Sequence, residues 1–423
     1  MFRKYVRGSR VRLARLVIAV ASVGAAAATG SAFADETTAP VERVDFRIEL
    51  ETVLEHDDGE FLWFHPRAAA IPAHADRPAT VLMTIQKHLF VSDFYSGLYD
   101  MRTTNLGETW DGPRPIPALD WQREASGVIR AVADVTPGWH APTERLLAVG
   151  AHVRYSPEGA QLDDIKRAHQ TAYAVYDPAA DAWTGWQMLE MPSDVKFDFA
   201  RSACAQWVVS DTGTVLLPFY LGTSSKTPWD VAVVECDFDG QRLTYRRHGN
   251  ELSLDEARGL YEPSLIRFGG RYYQTIRNDH KGYVSVSDDG LEYGPIRPWT
   301  FDDGSELGSY NTQQHWLAHS DGLFLCYTRK GANNDHITRH RAPLFIAQVD
   351  PERLVVLRDS ERVLVPERGA TLGNFGANPV NERESWVTVS EGLFGAASRQ
   401  RGATGATFVA RVIWSKPNQL TSP

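Results

Sequence analysis

The sequence predicts an all-β protein in the form of a six- or seven-bladed β-propeller, a ring of four-stranded antiparallel sheets. Short apolar or alternating runs recur along most of the chain, and glycine-containing turn pairs separate them. Helical periodicity is confined to short stretches near residues 162–169 and 252–258. A ring leaves many short strands with only short, protected edges. At about 40–60 residues for each blade, by analogy with known propeller repeats, the chain is long enough for six or seven blades.

The predicted strands are short and rich in β-branched and aromatic residues, as strand segments are. The clearest of them are Val81–Ile85, Leu146–Val149, Ala172–Tyr176, Val215–Leu221, Val231–Glu235, Leu265–Phe268, Tyr272–Ile276, Leu323–Tyr327, Leu344–Val349, Trp386–Val389 and Phe408–Trp414. Turn pairs that allow the positive φ of hairpins lie between them. They are Asp239-Gly240, Gly269-Gly270, Asp289-Gly290 and Asp321-Gly322. Strand-like segments near both ends, Asp45–Val53 and Thr407–Trp414, are expected to complete one blade together.

The first 34 residues predict a secretory signal peptide. Six basic residues open the chain, an apolar run extends over Leu16–Ala28, and Ala32-Phe33-Ala34 forms a small-x-small cleavage site. The apolar run is shorter than the roughly 20 residues that a spanning helix needs. We therefore expect export, to a periplasm or to the outside, with cleavage near Ala34 and no membrane anchor. Residues 35–423 are then expected to form a single propeller domain.

Charge and cysteine content narrow the range of partners. The formal net charge is −9, and loss of the six positive charges of the first 34 residues leaves −15. A mature protein this acidic is a poor general binder of nucleic acid or of anionic membranes. An anionic substrate would therefore need a local cluster of arginines. The three cysteines, an odd number, exclude a framework of disulfides in an exported chain.

One segment carries a specific turn motif. Thr103–Trp110 has the sequence T-T-N-L-G-E-T-W. Its Asn105 can tie its own backbone, Gly107 supplies free φ, and Trp110 can pack between sheets. A weaker copy, Asp288–Tyr293, keeps the acid, the glycine and the aromatic residue without the Ser/Thr positions. The motif resembles the Asp-box, or BNR repeat, S/T-x-D/N-x-G-x-T-W of sialidases and related propellers.

The chain thus resembles a divergent member of the sialidase/neuraminidase superfamily, and the similarity covers most of residues 60–345. The first blade of that family opens with an arginine motif, which the segment around Arg67 matches in a stretched form. The family's catalytic aspartate, roughly ten residues before the first box, corresponds to Asp93. Glu262, followed fifteen residues later by Arg277, matches the family's mid-chain pair.

A third arginine and a late tyrosine complete the family's set. Arg341 or Arg329 matches the arginine, and Tyr310 is the candidate tyrosine, although the family usually has the arginine first. The resemblance implies an exo-acting glycoside hydrolase that acts on terminal acidic sugars of glycans. Arg67, Arg277 and Arg341 would bind the substrate carboxylate, because guanidinium forks match carboxylate geometry.

The resemblance also implies the catalytic roles. Tyr310 would be the nucleophile, which avoids placing a second anion beside the substrate carboxylate. Glu262 would activate Tyr310, and Asp93 would act as acid and base. This chemistry requires no cofactor.

Histidines in the same segments favour a second chemistry. His65, His88 and His315 fall where the mouth of the propeller channel is expected, and so do two histidines just before Arg341. A sialidase site does not need them. The chain also resembles propellers that act on uronate-containing polysaccharides, either as lyases or by removing rhamnose next to glucuronate.

In a lyase, His88 or His315 would abstract the C5 proton of the uronate, and Tyr310 would act as the acid. The arginines would neutralise the sugar carboxylate and so acidify that proton. His65 and Gln314 are further candidate contacts to the substrate under either chemistry.

Two other hypotheses stay open. A non-catalytic glycan-binding propeller would use tryptophans near loops as stacking platforms and would need no acid/base pair. The candidate platforms are Trp63, Trp110, Trp121, Trp139, Trp183 and Trp186. A structural calcium ion could take oxygen ligands from Asn333, Asn334 and Asp335. The histidine and cysteine spacings match no metal-ligand motif.

Overall fold

The computed structural model describes residues 41–226 and 228–421, and the predicted signal peptide, residues 1–34, lies outside them. The described residues form six antiparallel sheets, one after another along the chain. Long strands of neighbouring sheets contact each other, and the first sheet also contacts the last. The described chain is therefore a six-bladed β-propeller, which confirms the predicted all-β fold.

The opening strand, β1 (Phe46–Glu55), belongs to the sixth sheet. Sheet 1 consists of β2 (Leu62–Ile71), β3 (Thr80–His88), β4 (Tyr95–Thr103) and β5 (Asp111–Pro115). Sheet 2 consists of β6 (Gln122–Arg123), β7 (Ile129–His140), β8 (Arg145–Tyr155), β9 (Thr171–Asp177), β10 (Ala182–Trp183) and β11 (Gln187–Met188). Sheet 3 consists of β12 (Phe199–Arg201), β13 (Val208–Val209), β14 (Val215–Gly222), β15 (Asp230–Phe238) and β16 (Leu243–His248).

Sheet 4 consists of β17 (Tyr261–Phe268), β18 (Arg271–Arg277), β19 (Gly282–Ser287) and β20 (Arg297–Pro298). Sheet 5 consists of β21 (His315–His319), β22 (Gly322–Tyr327), β23 (Leu344–Asp350), β24 (Val355–Val356) and β25 (Arg362–Val365). Sheet 6 consists of β26 (Phe375–Pro379), β27 (Glu384–Ser390), β28 (Ala406–Trp414) and β1. The helical elements are α1 (Ala396–Gln400) and the 3-10 turns Pro117–Leu119, Ala141–Thr143, Val195–Phe197, Thr338–His340, Arg358–Ser360 and Gln419–Thr421.

The two ends of the described chain close the ring. Strand β1 pairs antiparallel with β28, so that Phe46 lies opposite Trp414 and Glu55 lies opposite Ala406. The ring of Phe46 also lies 5.6 Å from the ring of Phe324 in sheet 5, measured between centroids. The prediction that both ends complete one blade is confirmed.

Apolar side chains fill the space between neighbouring sheets. The fully buried Trp386 of sheet 6 lies 5.9 Å, between ring centroids, from Trp110 at the end of a sheet 1 turn. Cys204, Cys236 and Cys326 are all buried and free, so the described chain is held together by packing and hydrogen bonds. Within the described residues, no helix has the length and apolar character needed to cross a membrane.

The turn Thr103–Trp110 joins the third and fourth strands of sheet 1 and is held by its own side chains. The hydroxyl of Thr103 accepts a hydrogen bond from the N–H of Gly107 at 2.9 Å. The Oδ1 atom of Asn105 accepts one from the N–H of Thr109 at 3.1 Å. These bonds replace the ladder bonds that the backbone loses in the turn.

The corresponding turn of sheet 4 repeats this arrangement. The hydroxyl of Ser287 accepts a hydrogen bond from the N–H of Gly290 at 2.9 Å, and Asp289 accepts one from the N–H of Glu292 at 2.8 Å. Ser287 therefore occupies the hydroxyl position that the sequence comparison left empty in the weaker copy of the motif.

Removing the aromatic ring of Phe46 should weaken the closure of the propeller. Phe46 is 6% exposed and packs on Phe324 and Trp414. We expect Phe46→Ala to lower the free energy of unfolding by about 3–5 kcal/mol, the usual cost of deleting a buried phenylalanine ring. Urea unfolding followed by tryptophan fluorescence measures the change.

The matched control is Leu50→Ala in the same strand, where the side chain is 39% exposed. Its expected effect is about 0.5 kcal/mol or less. Equal losses for the two variants would contradict a specific role of the Phe46 contacts in closure.

Candidate functional site

Four residues other than glycine that adopt the left-handed backbone conformation come from four successive sheets, sheets 1 to 4. These residues are His65 (φ 54°), Asp134 (φ 59°), Cys204 (φ 56°) and Glu262 (φ 44°). Strand pairing shifts register at three of them, in β2, β7 and β17, as it does at a β-bulge. A bulge redirects a side chain, and such strain, about 1–3 kcal/mol for each residue, concentrates at functional sites. We call the region that these four residues define the channel mouth.

The side chains of the channel mouth lie close enough to interact. The Nε2 atom of His65 lies 3.1 Å from Oδ1 of Asp134. Burial raises the pKa of the Cys204 thiol well above its usual value, and the charges of Asp134 and Glu262 raise it further. Consecutive blades thus each contribute one polar group to the same place.

Arg67 is the most deeply buried charge at the channel mouth. It follows His65 by two residues in β2 and is 2% exposed. Its Nη2 donates a hydrogen bond to Oε1 of Gln313 at 2.9 Å. Its Nε and Nη1 have no hydrogen-bond partner among the described residues. A buried guanidinium with unpaired donors is costly, and an anion that bound beside it would satisfy those donors.

Arg277 and Arg341 flank Arg67 and share one partner. Nη1 of Arg277 lies 2.5 Å from Oε2 of Glu262, and Nη2 donates to Oδ1 of Asn311 at 2.7 Å. Arg341, in the loop between β22 and β23, donates from Nη2 to the main-chain oxygen of Asn311 at 2.7 Å. Asn311 therefore holds two of the three guanidinium groups. We call Arg67, Arg277 and Arg341 the arginine cluster.

Positive charge exceeds negative charge within this cluster. Glu262 neutralises Arg277, but neither Arg67 nor Arg341 has a carboxylate within 4.0 Å among the described residues. Burial lowers the pKa of Arg341 to about 9, and the positive charges of Arg277 and Arg339 contribute to the shift. A bound anion would offset both effects. The cluster therefore has the charge to pair with a negatively charged group.

Two glycines, one in β26 and one just before it, make room for the arginine cluster. A Cβ atom at Gly376 would lie 2.8 Å from Cγ of Arg67, and one at Gly373 would lie 2.5 Å from Cδ of Arg341. Any larger residue at these positions would displace a guanidinium. The lack of a side chain at both positions therefore leaves the space that the two arginine side chains occupy.

Asp93 lies in the hairpin between β3 and β4 and is exposed at the channel mouth. The hydroxyl of Tyr155 donates to its main-chain oxygen at 2.8 Å, and the hydroxyl of Tyr95 lies 3.4 Å from its Oδ1. Surrounding protein atoms displace part of the water around the carboxyl and so raise its pKa, and the like charges of Asp134 and Glu262 add to the effect. Asp93 combines access to water with a tendency to hold its proton, which suits a general acid.

His88 fixes the hairpin that carries Asp93. Its Nε2 donates to the carbonyl of Ser92 at 2.6 Å, and its Nδ1 accepts from the N–H of Phe90 at 3.1 Å. Phe90 and Ser92 both have positive φ, so the hydrogen bonds of the His88 ring stabilise a strained turn. Burial lowers the pKa of His88. Both ring nitrogens make hydrogen bonds within the protein, so neither is free to take a proton from a substrate.

His315 lies below the channel mouth and is similarly occupied. Its Nδ1 lies 2.8 Å from the hydroxyl of Ser264, and its Nε2 donates to Oε1 of Gln313 at 2.8 Å. Burial, followed by the charge of Arg67, lowers the pKa of His315 well below its usual range. The ring links sheet 4 to the partner of Arg67 and has no free nitrogen.

Gln313 and Gln314 point in opposite directions from the chain. Gln313 contacts Arg67, whereas Gln314 accepts from the hydroxyl of Thr275 at 2.7 Å and donates to that of Ser309 at 2.8 Å. The glutamine that the sequence analysis selected, Gln314, is thus held within sheets 4 and 5, and its neighbour faces the arginine cluster.

The structure gives Tyr310 and Glu262 different partners. Oη of Tyr310 lies 2.7 Å from Nδ1 of His340, while Glu262 pairs with Arg277. No tyrosine follows Arg341 in the sequence, so the late tyrosine of the sialidase pattern has no other counterpart downstream of it.

Arg329, the alternative third arginine, is neutralised elsewhere. Its guanidinium makes two hydrogen bonds to the carboxylate of Glu361, from Nε at 2.8 Å and from Nη2 at 2.6 Å. Of the two candidates, it is Arg341 that the structure brings together with Arg67 and Arg277.

His65 is buried beside Arg67. Burial lowers its pKa well below the usual range, and the positive charge of Arg67 lowers it further. Its Nε2 atom lies near Oδ1 of Asp134, and its Nδ1 atom has no hydrogen-bond partner among the described residues. Of the sequence-predicted set His65, His88 and His315, His65 alone has a ring nitrogen left without such a partner.

Four residues of the site, Asp134, Cys204, Asn311 and Gln313, were not predicted from the sequence. A signal for Asp134 exists in retrospect, because it interrupts the apolar stretch of β7 with a charge. Asn311 and Gln313 belong to the polar run Tyr310–Trp316, of which only three members were selected. Cys204 had no signal, because its place depends on backbone geometry.

Metal ligands are not gathered in the part of the chain that the structure describes, where no three His, Cys, Asp or Glu side chains meet. Of the three candidate calcium ligands, Asn334 donates from Nδ2 to the carbonyls of Arg329 and Ala342 at 2.9 and 2.6 Å. Asp335 lies 3.2 Å from Nε2 of His340.

Comparison with known proteins supports the fold. No family model and no curated protein matches the sequence. A protein of unknown function from Dyadobacter fermentans DSM 18053 superimposes with a TM-score of 0.62 at 13% identity, covering 86% of this chain and 99% of that chain.

Sialidases are also among the similar structures. Hadza microbial sialidase Hz136 matches with a TM-score of 0.56 at 10% identity over 82% of this chain and 65% of its own. Trypanosoma rangeli sialidase matches with a TM-score of 0.55 at 11% identity over 83% of this chain and 55% of its own. This chain thus spans little more than half the length of the T. rangeli enzyme. At these identities the likeness shows a sialidase-like propeller fold.

The hydrogen bonds of His88 predict its protonation state. Because burial lowers its pKa, the ring should stay neutral, with the proton on Nε2, at the ordinary histidine pKa of about 6.5. Ring-nitrogen NMR of labelled protein measures this, and His88→Gln assigns the signals. A doubly protonated His88 ring at that pH would contradict the hydrogen bond that Nδ1 accepts from Phe90.

Proposed function

We propose that this protein is an exo-acting glycoside hydrolase that removes a terminal acidic sugar from glycans. The observation that carries the proposal is Arg67, a buried guanidinium with two donor atoms unpaired and no carboxylate partner, next to Arg277 and Arg341. A sugar carboxylate accepts charge-assisted hydrogen bonds from guanidinium donors. The acidic balance of the whole chain makes a local cluster necessary for an anionic substrate.

Asp93 is the proposed general acid. Its raised pKa keeps a fraction of the carboxyl protonated at higher pH than usual, and its exposure lets it reach a leaving group that points to solvent. The sugar would sit between this carboxyl and the arginine cluster, with the rest of the glycan outside. Cleavage of the terminal unit follows from that orientation.

Hydrolysis has more support than elimination by a histidine base. In His88 and in His315, both ring nitrogens make hydrogen bonds within the protein. T. rangeli sialidase has been solved in complex with sialic acid, an acidic sugar of the proposed class. Export with cleavage near Ala34 is part of the same proposal and is supported by the basic, apolar and small-residue pattern of the first 34 residues.

Replacing Arg67 should abolish the recognition of acidic sugars. We expect Arg67→Ala to lower kcat/KM for 4-methylumbelliferyl α-sialoside by about 100-fold or more, because it removes a buried charge partner of the carboxylate. Fluorescence measures turnover, and chromatography of the products shows free sugar. An unsaturated uronate released from a uronate polysaccharide would instead indicate elimination.

Arg383→Ala is the matched control, because Arg383 is an exposed arginine of the β26–β27 hairpin whose side chain lies beside Glu382. Its activity should equal that of the native protein. Circular dichroism checks that both variants are folded. Full activity of Arg67→Ala would remove Arg67 from the site and overturn the proposal.

Asp93 should determine the alkaline side of the pH profile. A general acid must be protonated, so kcat/KM is expected to fall as pH rises through the pKa of Asp93, which lies above that of an ordinary aspartate. Asp93→Asn should lose about 100-fold or more in kcat/KM and also lose this alkaline limb. A variant that keeps the limb would show that another group donates the proton.

A further inference from the structure

We infer that Tyr310, His340 and Asp335 form a proton relay in which His340 takes the proton of the Tyr310 hydroxyl during catalysis. The inference rests on the proposed hydrolysis and deepens it. It makes Tyr310 a catalytic residue, and it makes His340 and Asp335 positioning residues that act through it.

The three side chains form a continuous chain of polar contacts. Oη of Tyr310 lies 2.7 Å from Nδ1 of His340, and Nε2 of His340 lies 3.2 Å from Oδ1 of Asp335. A carboxylate only accepts hydrogen bonds, so Nε2 carries the ring proton and Nδ1 accepts from the phenol. A nucleophile next to a base that a third group orients is the general pattern of activated hydroxyl groups.

The loop between β22 and β23 is built to hold His340 in place. Asn334 is fully buried and donates to the carbonyls of Arg329 and Ala342, with a further contact to that of His340 at 3.4 Å. Arg339 and His340 both have positive φ, at 56° and 50°. Two consecutive strained residues persist only where the surroundings impose them. The same loop presents Arg341 to the arginine cluster and His340 to Tyr310.

Tyr310 is linked to the proposed carboxylate site through the next residue of the chain and through the charge of Arg341. It directly precedes Asn311, whose side-chain and main-chain oxygens accept from Arg277 and Arg341. Burial raises the pKa of Tyr310, while the positive charges of Arg339 and Arg341 act in the opposite direction. The phenol therefore needs a base if it is to attack.

His340 suits that task better than Glu262 does. The carboxylate of Glu262 is committed to Arg277 at 2.5 Å. A neutral imidazole also adds no negative charge next to the carboxylate of the sugar. Glu262 and His340 therefore have different roles. Glu262 holds Arg277 in position, and His340 receives the proton of Tyr310.

The reaction balances with these groups alone. Oη of Tyr310 forms a bond to the anomeric carbon, its proton moves to Nδ1 of His340, and the glycosidic bond breaks as Asp93 protonates the leaving oxygen. Water then attacks the same carbon, Asp93 takes a proton from the water, and the oxygen of Tyr310 leaves and regains its proton from His340. The net result is hydrolysis, with every residue restored.

The test measures kinetics and covalent labelling of Tyr310 and His340 variants. We expect Tyr310→Phe and His340→Ala to lower kcat for the aryl α-sialoside by about 100-fold or more. KM should change little for His340→Ala, because His340 does not contact the substrate, and added imidazole should restore part of kcat. Asp335→Asn should lose less, about 10-fold. His74→Ala, an exposed histidine that pairs with Asp76, is the control and should be unaffected.

A 2,3-difluoro sialic acid reports on the nucleophile directly. Mass spectrometry of the native protein should locate the sugar adduct on Tyr310, and the adduct should form more slowly in His340→Ala. A raised KM with unchanged kcat in His340→Ala would mean that His340 only supports Arg341, and would overturn the relay.

Failure of the relay and failure of the proposed function give different results. Hydrolysis of the sialoside by native protein, with an adduct elsewhere or with no effect of His340→Ala, overturns the relay alone. No hydrolysis of any acidic sugar by the native protein overturns the proposed function, and the relay falls with it.

Discussion

A kink at one residue in each of several successive sheets determines where the polar groups of the channel mouth lie. Strand pairing shifts register at His65, Asp134 and Glu262, and each of them has the left-handed backbone conformation. A bulge of this kind redirects a side chain. The closed ring maintains this strain, because every sheet is held by two neighbours.

The same geometry leaves the positive charge of Arg67 without a carboxylate partner among the described residues. Arg67 is almost completely buried, and the two glycines that face the cluster provide space but no partner. Such a group lowers the stability of the free protein and strengthens the binding of an anion, since the cost of removing it from water has already been met. The large interblade cores allow the fold to tolerate this local loss.

Much of the fold could be predicted from sequence, because strand patterns, turn pairs and the two terminal strands are local signals. Arg67, Asp93, Glu262 and Arg277 could be chosen from the resemblance to sialidases, and in the structure their charges act on one another or on shared neighbours. Other features depend on long-range geometry. Whether His88 has a free nitrogen depends on the turn around it, and whether Gln313 or Gln314 faces inward depends on the register of a strand that begins after them.

The pairing of β1 with β28 has a consequence for the time course of folding. A ribosome makes β1 before the strands of the other five sheets and β28 after them, so β1 has no partner until those sheets have been synthesised. Assembly of the sixth blade is therefore a late event, separated from the start of synthesis by more than 300 residues. Until then the nascent protein carries an unpaired edge, which is a target for chaperones and for aggregation.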